Sequence, residues 1–89
     1  MLKIRVLNQF KKDVKLAKKR GNNVALMKEV IQRLANGEPL ELKFRDHSLK
    51  GNYVDCRECH IQPDFLLVYR LGEVELQLVR AGTHSDLFR

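Results

Sequence analysis

Three histidines, two cysteines and an aspartate beside a proline carry most of what this sequence could do chemically. The histidines are His47, His60 and His84, all in the second half of an 89-residue chain. Imidazole both takes and gives protons near neutral pH. Together with Asp64, in the Gln62-Pro63-Asp64 turn, these side chains could form an acid–base site. Such a set suits cleavage of RNA through its own 2′-hydroxyl. That reaction needs a base for the hydroxyl, an acid for the 5′-oxygen that leaves, and a cation to hold the charge of the phosphorane. Arg80, four residues before His84, could be that cation. No metal is required. The plainer alternative is that three scattered histidines are surface or structural residues, and spacing alone does not choose between the two.

Aromatic side chains flank these groups. Phe65 follows Asp64, and Phe88 lies four residues past His84. An exposed ring at either position could stack a base. For Phe65, core packing is an equal reading, because it opens an apolar run; Phe88 stands on a polar tail. Tyr53 and Tyr69 read as structural. Cys56-Arg57-Glu58-Cys59-His60 matches the haem-attachment pattern C-x-x-C-H. The motif falls within an expected strand, where residues three apart point to opposite faces, so one ligand is hard to grip. There is no second cysteine pair for a zinc site. The expectation is two reduced cysteines, no haem, no metal and no cofactor.

The elements that must position these groups follow from periodicity. Leu2, Ile4 and Val6 alternate with Lys3 and Arg5, a short strand of period two. Asn8 could cap the helix that follows, in which Phe10, Val14 and Ala17 share a face and lysines take the other. Gly21 stops it. Asn22 or Asn23 caps a second helix with a stripe of Met27, Val30, Ile31 and Leu34, ended by Asn36-Gly37 and Pro39. Two helices so joined form an antiparallel hairpin. Residues 38 to 52 read as a loop. Three strands then follow: 53 to 61, the continuously apolar 65 to 71, and 74 to 80, with Val74, Leu76 and Leu78 on one face. The order is β-α-α-β-β-β, an α+β fold with an antiparallel sheet packed by an N-terminal helical hairpin, in one domain over residues 1–89. A chain of this size buries only about 60–65% of its unfolded surface.

The net charge is +6 and the isoelectric point about 9.6. Basic residues gather early, at Lys11, Lys12, Lys15, Lys18, Lys19 and Arg20. This favours a polyanionic partner, with a solvated helix face as the simpler account. Lys11 and Lys12 are expected to serve RNA binding, not chemistry. No apolar run approaches the roughly 20 residues that cross a bilayer, and the charged, alternating start is unlike a secretory leader. The expected location is the cytoplasm.

The runs His47-Ser48-Leu49-Lys50-Gly51-Asn52-Tyr53, Arg57-Glu58-Cys59-His60-Ile61-Gln62-Pro63-Asp64-Phe65-Leu66-Leu67-Val68-Tyr69 and Arg80-Ala81-Gly82-Thr83-His84-Ser85-Asp86-Leu87-Phe88 closely resemble YafQ-type toxins. Those belong to the RelE/ParE superfamily of bacterial toxin–antitoxin systems. The resemblance is dense from His47 to Phe88. It implies a metal-independent endoribonuclease that cleaves mRNA at the ribosomal A site and is neutralised by a cognate antitoxin, here expected to be acidic. Carried over by position, the site comprises His47, His60, Asp64, Phe65, Arg80, His84 and Phe88. His84 is the expected general acid, and His47 or Asp64 the base, with His60 orienting or stabilising charge. Such toxins commonly carry tryptophan where this chain has Phe65. Two other functions stay in view: a non-enzymatic ParE-like toxin that binds a protein such as gyrase, and a plain basic RNA-binding module. All three histidines together with Arg80 favour the nuclease, because a pure binder needs no acid–base set.

Overall fold

The computed structural model describes residues 1–88. Strand β1 (Lys3–Val6) runs directly into helix α1 (Asn8–Lys19), and helix α2 (Val24–Ala35) follows. After two single-turn 3₁₀ segments and the two-residue strand β2 (His47–Ser48) come β3 (Arg57–Gln62), β4 (Phe65–Leu71), β5 (Glu75–Gly82) and the one-turn helix α3 (His84–Leu87). The α+β class holds, and the expected strand, two helices and three long strands follow in that order, with β2 and the one-turn helix α3 added to them. The sheet is mixed, however, not antiparallel. Its order is β1-β5-β4-β3-β2, and β1 runs parallel to β5, with Lys3 opposite Glu75 and Val6 opposite Leu78. Short turns fix antiparallel pairing only for β3, β4 and β5. Strand β1 meets β5 after a crossover that holds the helices and most of the chain, which permits a parallel pair. Nor is the stretch from 38 to 52 all loop, since β2 adds an edge by pairing His47 with Glu58.

Local signals explain the helices. Gly21 takes φ +76°, the left-handed conformation that ends α1. Asn23 caps α2 by accepting a hydrogen bond from the Leu26 N–H at 3.0 Å. Asn8 is not a cap: it is the first helical residue, and Leu7 holds the cap position without a side-chain bond. Val74 is exposed, in the turn before β5, because that strand begins one residue later than its alternation suggested.

The helices cover one face of the sheet. There Phe10, Ala17, Met27, Val30, Ile31 and Leu34 pack with Cys59, Ile61, Phe65, Leu67, Tyr69, Leu76 and Leu78. The opposite face has only a small apolar floor of Cys56, Leu66, Val68 and Leu87, with Leu49, Tyr53 and Val79 against it. The two cysteines thus lie on opposite faces, both buried and unpaired. Burial pushes the Cys59 thiol up to about 12.

Candidate active site

Strand parity builds the site. Glu58 and His60 alternate with Cys59 on β3, so they point away from the helices. Register brings His47 opposite Glu58 from β2. The β3–β4 turn carries Asp64, and antiparallel pairing of Leu66 with Gly82 brings the start of α3, hence His84, beside it. The three imidazoles form a row. Ring centroids of His47 and His60 are 6.2 Å apart, and those of His60 and His84 5.7 Å. Phe88 extends the row, 6.4 Å from His84 and edge-on to Tyr53 at 5.8 Å. Lys43, Arg45, His60, Gln62, Pro63 and His84 line a cleft of about 420 Å³ at its centre.

Each histidine is oriented by an acceptor. Nδ1 of His47 lies 2.6 Å from the Arg45 carbonyl. A carbonyl only accepts, so neutral His47 holds its proton on Nδ1 and leaves Nε2 as its acceptor nitrogen. Arg45 adopts φ +48°, left-handed for a non-glycine residue, to turn that carbonyl toward the ring. Nε2 of His60 stands 3.1 Å from Oε1 of Glu58, and Nε2 of His47 3.8 Å from the same oxygen. Asp64 Oδ1 accepts from the His84 backbone N–H at 2.9 Å and meets His84 Nδ1 at 2.7 Å. These bonds to His84 hold the Asp64 carboxyl below its ordinary range. With Nδ1 committed to Asp64, protonated His84 offers its second N–H, on Nε2, to a substrate.

Arg80 stands on β5 opposite Val68. Its Nε and Nη2 donate to Asp13 at 2.8 and 3.2 Å. Asp13 foremost, and the Tyr53 hydroxyl to a smaller degree, raise the Arg80 pKa against the opposing effect of burial. The guanidinium is therefore a permanent cation.

The sequence expectation is corrected at Phe65. Its ring is fully buried in the helix-side core, because β4 is central and position 65 faces α1 and α2; it is closed to a base. Phe88 is 41% exposed and keeps its ring on the histidine row. Lys11 is not brought to that row; it rims a separate groove with Ile4, Phe10 and Ile31. Lys12 is exposed on α1. Two carboxylates were missed, Glu58 and Asp13, which are among the least exposed charged side chains, at 4% and 7%. Period two would have placed Glu58 on the face of His60, and Asp13 falls between Phe10 and Ala17 on the inner stripe of α1.

The family described as "Bacterial toxin of type II toxin-antitoxin system, YafQ" matches residues 2–89. The mRNA interferase toxin YafQ of Escherichia coli strain K12 is 40% identical over 81 residues, spanning 90% of this chain and 88% of its own. YafQ in the E. coli DinJ–YafQ toxin–antitoxin complex superposes with a TM-score of 0.91 at 37% identity, covering 99% of this chain and 98% of that one. A metal-bound toxin from Helicobacter pylori gives 0.91 at 47% identity, covering 99% and 100%.

Proposed function

The chain belongs to the YafQ family of bacterial type II toxin–antitoxin toxins, and from that membership and the histidine row we propose that it is an mRNA endonuclease acting at the ribosomal A site. In this reading His47 Nε2 takes the proton of the 2′-hydroxyl, whose oxygen attacks the adjacent phosphorus. His84 Nε2–H delivers a proton to the departing 5′-oxygen, with Asp64 stabilising the imidazolium before transfer. The products are a 2′,3′-cyclic phosphate and a 5′-hydroxyl. Arg80 holds charge on the phosphorane, and His60, fixed by Glu58, orients the phosphate between the other two rings. Phe88 stacks a neighbouring base. The observation that carries the reading is the pattern of ring contacts: His47 Nδ1 on the Arg45 carbonyl at one end, which leaves Nε2 to act as base, and His84 Nδ1 on the Asp64 carboxylate at the other.

Ligand atoms of Glu58, His60 and His84 lie within 4.8 Å of one another, a spacing that suits a single metal ion. Imidazole and carboxylate together fit zinc or copper. Ligation would occupy nitrogens that the acid–base steps need, so such an ion is expected to inhibit. Nothing in the proposed steps calls for one.

An acidic antitoxin is the expected partner in the cytoplasm, given the charge of +6; among the described residues no helix is long and apolar enough to cross a membrane. The test is incubation with translating ribosomes and mapping of mRNA 5′ ends. Discrete ends that persist in EDTA after ribosomes are already assembled support the reading. Intact mRNA, or a strict metal requirement for the chemical step, would defeat it.

A further inference from the structure

Helix α1 reaches the site at two points. Asp13 lies within α1 and Arg20 is the residue that caps its C-terminus, seven positions on and close to two helical turns away, so the two share one side. Beyond Leu78 strand β1 no longer pairs with β5, and the edge of β5 lies open to α1. Asp13 fills that gap. Its Oδ2 accepts from Arg80 Nε at 2.8 Å and from the Ala81 backbone N–H at 3.0 Å. Its Oδ1 accepts from Arg80 Nη2 and from Gln9 Nε2, each at 3.2 Å. The two-point grip fixes the guanidinium plane as well as its place.

At the far end, Arg20 Nη1 donates to Asp86 Oδ2 at 2.6 Å and Nη2 to Oδ1 at 3.4 Å. Asp86 closes the capping box with Thr83 that starts α3, whose first residue is His84. An apolar residue at position 13 would serve the core as well as a buried carboxylate does. It would leave Arg80 unanchored. The arrangement is better suited to fixing two side chains than to stability.

We propose that Asp13 and Arg20 are positioning residues for RNA cleavage: α1 braces the Arg80 guanidinium directly, and the His84 imidazole through Asp86 and α3. This rests on the assignment of Arg80 and His84 to the site, and the two ideas fail differently.

The experiment is single-turnover mRNA cleavage on ribosomes, with the saturating rate and the half-saturating concentration determined separately. Asp13→Asn keeps an oxygen for the Ala81 N–H but loses the ionic grip. Its saturating rate should fall about 10- to 100-fold, the scale of a small misplacement of a reacting group, with half-saturation unchanged. Placed on Arg80→Ala it should add no further loss, because the group it positions is gone. Arg20→Gln should slow the wild type in the same manner and add nothing to His84→Ala. A merely structural role would slow each background alike. A wild-type rate in Arg80→Ala would defeat the site assignment. A slow Arg80→Ala with a fast Asp13→Asn, or additive losses in the double variants, would overturn the brace alone. Should Asp13→Asn not fold, Arg20→Gln at the more exposed end decides the question by the same criteria.

Discussion

The two faces of the sheet are made by the same strands and built to opposite rules. On the helix side Cys59 and Ile61 of β3 are buried beside Phe65, Leu67 and Tyr69 of β4, which are fully buried, and the one charged residue of that parity, Arg57, lies at the start of β3 on Asp46. On the other side Leu66 and Val68 are just as buried, yet their neighbours across the sheet are Glu58, His60 and Arg80. The first face supplies the hydrophobic stabilisation that a thin domain depends on. The second uses a small apolar floor as a platform for titratable groups. Substitutions on the helix face should therefore act through folding, and substitutions on the open face through rate.

The strongest test of this division is His84→Ala. The side chain is 53% exposed, so little packing is lost. Removing a general acid should lower the cleavage rate by roughly 10²–10⁴-fold. Arg80→Ala should cost about 10²–10³-fold as an electrostatic loss. Single-turnover kinetics, with circular dichroism on each variant, measures both; a folded His84→Ala protein that cuts at full rate would remove it from the chemistry.

The two phenylalanines at the ends of the site sharpen the contrast. Phe65→Ala should destabilise the fold by about 3–5 kcal/mol, as for a large ring removed from a closed core. Phe88→Ala should leave the denaturation midpoint almost unchanged and weaken RNA engagement by about 1–3 kcal/mol, the worth of one stacked base. Urea unfolding and binding to oligonucleotides separate these outcomes. Equal stability losses for both would mean that Phe88 is a core residue.

These residues also mark how far the sequence could be read. Periodicity located α1, α2 and the strands β4 and β5, because each is written in neighbouring residues; the strand expected over 53 to 61 begins only at Arg57, after a 3₁₀ turn at Gly51–Tyr53, and α3 was not foreseen. The parallel partnership of β1 with β5 was not legible, since it joins segments about 70 positions apart with no turn to signal it. Phe65 was ambiguous for a physical reason: a strand parity error of one exchanges the core face for the site face. Glu58 and Asp13 were missed because charge in a sequence suggests exposure, whereas both carboxylates are buried, Glu58 beside His60 on its own strand and Asp13 against Arg80, a partner that only the fold supplies.

A smaller effect is expected where the faces meet. A Cβ at Gly82 would stand 2.8 Å from Asp86 Oδ2 and 3.1 Å from its Cβ. Gly82→Ala should push Asp86 out of the capping box, at a cost of about 1–3 kcal/mol by overpacking. It should also slow cleavage, because His84 opens the displaced helix. A thermal melt and a rate on the same sample check this; full stability together with full activity would show that α3 yields freely.

The least of these effects is electrostatic and separates the faces by pH. Hydrogen bonding to Arg20, and then to the Thr83 backbone N–H, holds the Asp86 carboxyl down to about 2. An unfolded aspartate titrates near ~3.9. The folded form thus binds this proton less readily than the unfolded form. Its stabilising contribution is complete above about pH 4 and is lost as pH falls through about 2. Asp64, depressed through His84, adds to the slope in the same direction. Asp86→Asn should therefore be less stable than wild type at pH 6 and converge on it as the medium is acidified. Phe65→Ala should instead shift the whole curve downward with its slope unchanged, because nothing on that ring titrates. Urea midpoints taken from pH 6 to pH 2 measure both curves. Parallel curves for wild type and Asp86→Asn would show that the Arg20–Asp86 pair contributes nothing to folding, which would leave positioning of His84 as its one remaining role.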